Sequence, residues 1–177
     1  LKEKIGSTGS GTGPANAERA MRTLKMAKDI ESLSSYIKDV PDEINSALKN
    51  KEEVLVEGTQ GTHLSLWHGT YPFVTSKDVT AAGICADVGL GPKSVNEVLV
   101  VFKAYLTRVG TGPMPGELGA EETEKKGWAE FGTVTGRPRR AAEFDFNLAR
   151  RAVMLNSATQ IAITKLDVRF PECSGVK

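Results

Sequence analysis

The chain has 177 residues, enough for one sizeable core or a large piece of a bigger one. Lys and Arg number 23 against 22 Asp and Glu, a formal net charge of +1, which excludes bulk attraction to nucleic acid and leaves phosphate binding to local clusters. Cys85 and Cys173 belong to no CxxC, and His63 and His68 sit in no HExxH. That argues against a metal site built within this chain and weakly for a reducing compartment. No apolar run approaches the ~20 residues needed to span a bilayer, and no signal-peptide pattern is present, so the expectation is a cytoplasmic protein without a membrane partner. Leu1 opens the chain and Ile5-Gly6 reads as the end of an element already under way, so an internal piece of a longer protein is expected.

In chain order, Ser7 to Gly13, STGSGTG, is a glycine and hydroxyl loop with Pro14 where a helix would begin. Backbone N–H groups there could meet an anion, but no Gly-Lys-Ser/Thr follows, and a linker is an equal alternative. Ala17, Ala20, Met21, Leu24 and Ala27 recur at helical spacing, predicting a helix from Pro14 to about Ile30. Arg19, Arg22, Lys25 and Lys28 would make a basic ridge along it, which on charge pattern alone is most simply a solvated face. A second helix is predicted from Pro41 to Leu48, with Val40, Ile44, Ala47 and Leu48 inward. Val54 to Val56 reads as a short buried strand opening into a glycine loop.

That loop, EGTQGTHLSLWHGTYPFVTS from Glu57 to Ser76, has the composition of a ligand-facing segment. Gly58, Gly61 and Gly69 admit close backbone approach, and Gln60, Thr62, Thr70 and Thr75 bring neutral donors and acceptors. The Gln60 carboxamide can give and take a hydrogen bond on a purine edge at once; a polar turn between strands is the competing reading. Asp78 to Gly91 is small and glycine-spotted, suited to packing more than chemistry. Val98 to Phe102 reads as a buried strand, perhaps in a parallel sheet, and Glu121 to Lys126 as an exposed helical turn. Asp145 should cap a helix through about Ser157, and Gln160 to Thr164 should form a strand.

Two charged stretches stand out. FGTVTGRPRR, Phe131 to Arg140, places Arg137, Arg139 and Arg140 within four residues of a loosened backbone. Such crowding is costly unless anions answer it, and guanidinium pairs carboxylate or phosphate in a two-pronged way, so anion binding is favoured over the alternative of a merely solvated charge run. TKLD, Thr164 to Asp167, puts a carboxylate just beyond a strand's carboxyl end, where open α/β sheets take ligands. Asp167 could accept from the ring N–H and amino group of guanine, although a capping role is the commoner use.

Together the segments Gly6–Arg22, Glu57–Ser76, KAYLTRVGTGPMPGEL at Lys103–Leu118, EFGTVTGRPRR at Glu130–Arg140, and TKLD closely resemble the adenylosuccinate synthetase family. The short spacing between Arg22 and Gln60 is similar to the archaeal-type members. The resemblance implies an α/β fold of three layers, a mostly parallel sheet flanked by helices, of the P-loop-NTPase-like synthetase type and incomplete here. All 177 residues would be part of one such domain. It further implies GTP-dependent joining of L-aspartate to IMP, with Mg2+ as cofactor, in a homodimer. A purine-nucleotide-binding or dimerisation module without turnover is the alternative for these residues alone.

By the same resemblance, Thr8 would contact the IMP phosphate and Arg22 would reach IMP in the neighbouring subunit. Gln60 would hold the hypoxanthine edge, Thr75 the phosphate, and Arg137 would lie near the ribose. Thr133, Val134, Thr135, Gly136, Arg137, Pro138 and Arg139 would close over aspartate, with Val109 lining that pocket. Arg139, Lys165, Leu166 and Asp167 would bind GTP, Lys165 covering the guanine face and Asp167 reading its edge. The family's catalytic acid, base and magnesium ligands lie on a glycine-rich amino-terminal segment that has no counterpart in this sequence, so none is expected among these residues. Pro138 stands where bacterial relatives often carry another arginine, and Val134 where a threonine is common.

Overall fold

The computed structural model describes residues 5–132 and 136–173, so Thr133, Val134 and Thr135 lie outside the described residues. The chain divides into two compact units: Leu1–Ser10, Thr70–Phe73 and Glu97–Lys177 form one, and Gly11–Gly69 with Val74–Asn96 the other.

The first unit is built on two strand pairs. β1 (Leu99–Lys103) lies parallel to β4 (Gln160–Thr164), Leu99 opposite Gln160 and Lys103 opposite Thr164. β2 (Leu106–Arg108) runs antiparallel to β3 (Arg140–Ala142). The parallel pairing and the α/β class expected from the sequence are present, but the continuous burial is not. Leu99 and Val101 on one face, and Ile161 and Ile163 on the other, are all about half exposed or more, so neither face of the pair is fully covered by described elements. The core lies on the antiparallel side. Tyr105, Trp128 and Ala141 are buried together, with Leu118 and Val168 against them, and the Tyr105 ring stacks on Trp128 at 4.5 Å between centroids. Aromatic rings of this size supply much of the apolar area such a small core can bury.

In the numbering used here, α5 (Phe146–Asn156) follows the sequence expectation closely: Asp145 caps it by accepting from the N–H groups of Asn147 and Leu148 at 2.7 and 3.0 Å, and Ser157 ends it in the left-handed region. The charged stretch near Glu121 is α4 (Ala120–Lys125), whose one buried residue is Thr123. After β4, α6 (Leu166–Arg169) is a single short turn.

The second unit holds α1 (Thr12–Met21), α2 (Val40–Lys49) and α3 (Ala81–Val88). α2 starts where expected, with Asp39 accepting from the Asp42 N–H and a proline in its first turn, but Val40 stays exposed. Two predictions fail here. The helix from Pro14 stops at Met21, nine residues early: Arg22 turns left-handed (φ 66°), and the N–H groups of Arg22 and Thr23 fold back onto the Arg19 and Glu18 carbonyls. This is the two-bond ending usually given to glycine, so no helical basic ridge runs from Arg19 to Lys28. Val54 to Val56 forms no strand either. It has no pairing partner among the described residues, and Leu55 is 93% exposed. Among those residues no helix is long and apolar enough to cross a membrane.

Candidate functional site

The arginine segment is a short hairpin. The Gly132 N–H donates to the Arg137 carbonyl and the Arg139 N–H to the Glu130 carbonyl, both at 2.8 Å, bracketing a Phe131–Pro138 bridge. Those bonds make 131 and 138 a pair whose N–H groups the ladder does not use, which is why proline fits at 138. Exposure alternates accordingly: Gly136 and Pro138 face out, while Arg137 and Arg139 are half-buried.

Arg139 enters a polar cluster at the carboxyl ends of β1 and β4. The Lys103 ammonium lies 2.7 Å from Glu130 Oε2, the Tyr105 hydroxyl donates to Glu130 Oε1 at 2.7 Å, and Arg139 is 3.6 Å from Oε2. Lys103 also donates to the Thr107 hydroxyl. Burial would raise the Glu130 pKa, but the bonds from Lys103 and Tyr105 outweigh it and hold the carboxylate below its ordinary value. Burial pulls the Lys103 ammonium down while Glu130 lifts it, and with the Arg139 and Lys165 charges adding to the fall the ammonium lies below its ordinary value. Tyr105 is raised by burial and by Glu130, and the Asp167 charge adds to that. Arg139, Lys165 and Asp167 thus all act on one small group of side chains, although Lys165 and Asp167 themselves, like Leu166, are exposed.

Arg137 reaches elsewhere, donating to the Gly6 carbonyl at 3.0 Å, two residues before Thr8. Gly6, at φ +68°, packs its backbone so tightly on Gly110 that an added Cβ would come within 3.0 Å of the Gly110 Cα. Thr8 shares a hydrogen bond with Ser10 at 3.1 Å and is exposed. Half-buried Val109 sits in a loop clamped by two further arginines. Arg108 donates to the carbonyls of Phe73, Thr111 and Pro113 and to the Thr70 hydroxyl, and Arg140 donates to the carbonyls of Gly110 and Gly112 while pairing Glu117 through both its Nε and a terminal nitrogen. Of the three crowded arginines, Arg140 is therefore a brace, and the sequence reading of all three as one anion-binding group is corrected: Glu117 and loop carbonyls already answer it.

In the second unit, the Gln60 and Thr75 segments are tied through their main chains. The Thr75 N–H donates to the Leu64 carbonyl at 2.8 Å and the Leu66 N–H to the Lys77 carbonyl at 3.1 Å. Beneath them fully buried Ser65 donates to Asp78 Oδ1 at 2.8 Å and accepts from the N–H groups of Trp67 and His68; Thr80 donates to Asp78 Oδ2 at 2.7 Å and caps α3. Burial would raise the Asp78 pKa, but hydrogen bonds from Thr80 and Ser65, with the His68 charge nearby, hold it low. Asn16, in the first turns of α1, reaches the Ser76 hydroxyl at 3.4 Å, so the start of that helix stands beside Thr75-Ser76, where its N-terminal dipole favours an anion. Gln60 is exposed, at φ 58°.

Among the described residues five non-glycine positions have φ in the left-handed region: Arg22, Lys51, Gln60, Ser157 and Lys165. Three of them are residues the sequence had singled out for ligand contact. Left-handed backbone in long side chains costs energy and concentrates where function demands a particular direction. Sequence reasoning missed Lys103, Tyr105 and Glu130 in the first unit and Ser65 and Asp78 in the second, each a support for candidate residues of its own unit. All but Asp78 stand within the quoted motifs, yet as members with no assigned task.

A cationic cluster at the carboxyl ends of two parallel strands defines an α/β protein, with charge placed where open sheets of that class take ligands. A family profile described as adenylosuccinate synthetase matches residues 23–172. The chain belongs to that family. It is 60% identical over 99% of its length to the adenylosuccinate synthetase of Methanocaldococcus jannaschii, covering 51% of that protein, and 57% identical to that of Methanococcus vannielii, covering 52%. A solved structure of fully ligated adenylosuccinate synthetase from Plasmodium falciparum superposes with a TM-score of 0.82 at 32% identity, over 93% of this chain and 48% of that one. A cyanophage S-2L succinoaminodeoxyadenylate synthetase bound to dGMP and dATP gives 0.74 at 27%, over 90% of this chain and 50% of that one. The chain thus spans about half the length of the relatives it matches, and it carries their α/β synthetase fold.

Proposed function

We propose that these residues belong to a GTP-dependent ligase that joins L-aspartate to IMP, giving adenylosuccinate, GDP and phosphate in AMP biosynthesis. The observation that carries this reading is the convergence of Arg139, Lys165 and Asp167 on the Lys103–Glu130–Tyr105 cluster at the strand ends. GTP would transfer its γ-phosphoryl group to the purine 6-oxygen, and the aspartate amine would then bond to purine carbon 6 as the bond from that carbon to the phosphorylated oxygen breaks and phosphate leaves.

Within the first unit, Asp167 would accept from the guanine N–H and amino group, Lys165 with Leu166 would cover the ring, and Arg139 would approach the same nucleotide. Arg137, with Gly136 and Pro138 beside it, would meet aspartate and the IMP ribose, Thr8 the IMP phosphate, and Val109 would line the aspartate pocket. Thr133 to Thr135 would complete the loop over aspartate. Within the second unit, Gln60 would pair the hypoxanthine edge and Thr75 would take phosphate beside the start of α1. Arg22 would act across a homodimer interface, and both units would be parts of one cytoplasmic synthetase domain. A charged hydrogen bond of this kind is worth about 1.5–3 kcal/mol.

Magnesium would neutralise phosphate charge in such a transfer. Among the described residues no three His, Cys, Asp or Glu side chains form a group that could hold a metal ion, and no magnesium ligand is assigned to them. No catalytic acid or base is assigned to them either.

The test is formation of adenylosuccinate by the full-length protein from IMP, L-aspartate and GTP, with ATP as comparator. Asp167→Asn should cut the preference for GTP over ATP by roughly tenfold or more, the cost of one unmatched polar contact. No product with either nucleotide would dispose of the reading, and an unchanged preference would dispose of the role given to Asp167.

A further inference from the structure

Glu130 carries no ligand in the reading above, yet its carboxylate meets three side chains at once. Oε1 accepts from Tyr105 and Oε2 from Lys103, each at 2.7 Å, so both oxygens are engaged before Arg139 arrives at 3.6 Å. The main chain makes the association durable, because the Arg139 N–H donates to the Glu130 carbonyl at 2.8 Å across the hairpin. Arg139 Nε is buried and has no hydrogen-bond partner among the described residues, while the side chain as a whole keeps 30% of its surface open. A buried donor left without a partner is rare in folded proteins and calls for an explanation. Around this point stand three cations, Lys103, Arg139 and Lys165, against two carboxylates, Glu130 and Asp167, so the group is one anion short of balance.

We propose that Glu130 is a positioning residue for the nucleotide substrate: it binds Lys103 tightly and Arg139 loosely, so that Arg139 is aimed yet still lacks a full partner when an anionic ligand arrives. The proposal rests on the assignment of Arg139 to GTP. Were Glu130 paired squarely with Arg139 instead, the guanidinium would be satisfied internally and a ligand would have to break that pair. Were it absent, Lys103 and Arg139 would repel each other and the long Arg139 side chain would have no fixed direction.

The experiment is a double-mutant cycle in the full-length protein, read by steady-state kinetics with GTP and with IMP as varied substrates. Glu130→Gln should raise the KM for GTP roughly tenfold, with kcat and the KM for IMP changing less than about twofold, and Glu130→Asp should recover part of the loss. Arg139→Gln should raise the same KM, and adding Glu130→Gln to it should cost no more than about a further twofold, because the two act as one device. Because Glu130→Gln leaves Lys103 without its partner and can impair folding, the charge-balanced Lys103→Met/Glu130→Gln variant is made as well; it should regain thermal stability yet keep the raised KM for GTP. Full multiplication of the Glu130→Gln and Arg139→Gln effects, an unchanged KM in Glu130→Gln, or a KM restored in the charge-balanced variant would each overturn the proposal. If Arg139→Gln itself leaves the KM for GTP untouched, the nucleotide assignment of Arg139 falls and the role of Glu130 falls with it.

Discussion

The two units hold their candidate site residues by different means. In the first, long cationic side chains are aimed by other side chains: Glu130 draws in Lys103 and Arg139, and Glu117 answers Arg140 while that residue grips loop carbonyls. In the second, the short neutral group of Thr75 is placed by the main chain, through backbone bonds between residues 64 and 75 and between 66 and 77, over a buried Ser65–Asp78–Thr80 network. The difference follows from chemistry. An arginine has many torsions to freeze and a charge by which to freeze them, whereas a threonine goes where its backbone goes. Main-chain shape should therefore be the weak point of one unit and charge balance that of the other.

The sharpest way to break this contrast is Gly69→Ala. An added Cβ would lie 2.5 Å from the carbonyl oxygens of both His63 and Ser65 and 2.8 Å from Val74. Backbone cannot yield as a side-chain tip can, so a loss of about 3 kcal/mol is expected by denaturant unfolding of the full-length protein, with weaker IMP binding. A loss below about 1 kcal/mol would mean that the loop is not held as described. Asp78→Ala comes next. Stripping the acceptor from Ser65 and Thr80 should cost about 2–3 kcal/mol while leaving the KM for GTP near normal, if the two braces are independent.

In the first unit, Arg140→Met removes the clamp on Gly110 and Gly112. An expected cost of about 1–2 kcal/mol, with a raised KM for aspartate through the Val109 loop, would sharpen the contrast. Equal KM changes for all three substrates would blur it.

The smallest effect is in pH. Asp78, Glu117 and Glu130 all titrate below their ordinary values in the fold. For Glu117 the cause is the bond from Arg140, which outweighs its slight burial. Groups with depressed folded pKa values add stability above their unfolded values and lose it as pH falls through the folded ones. Stability should thus be level from neutrality to about pH 5 and decline below about pH 4. The decline should be shallower in Asp78→Asn, and parallel curves for the two proteins would take Asp78 out of the account.

Much of this was legible in the chain. Asp145 before an amphipathic run announced α5, Gln160 to Thr164 announced β4, and the grouped motifs announced the family, because each signal is local and repeats along a few residues. The misreadings share a cause. A helix was expected to run on from Met21 because the apolar period continues through Leu24 and Ala27, but the left-handed turn at Arg22 has no glycine to mark it. Val54 to Val56 has strand composition, yet a strand exists only by pairing, and composition does not name a partner. Arg140 was grouped with its neighbours because charge density does not reveal which guanidinium already has a carboxylate.

By itself, then, the sequence determined which functional groups the chain offers: the carboxamide of Gln60, the guanidiniums of Arg137 and Arg139, the carboxylate of Asp167. Only the tertiary structure decided which groups hold them there, bringing Glu130 to Lys103 across 27 residues and Arg137 to Gly6 across 131. The reason is physical. A ligand contact depends on the functional group a residue carries, which is written in one letter, whereas its support depends on distances between parts of the chain that no local pattern encodes.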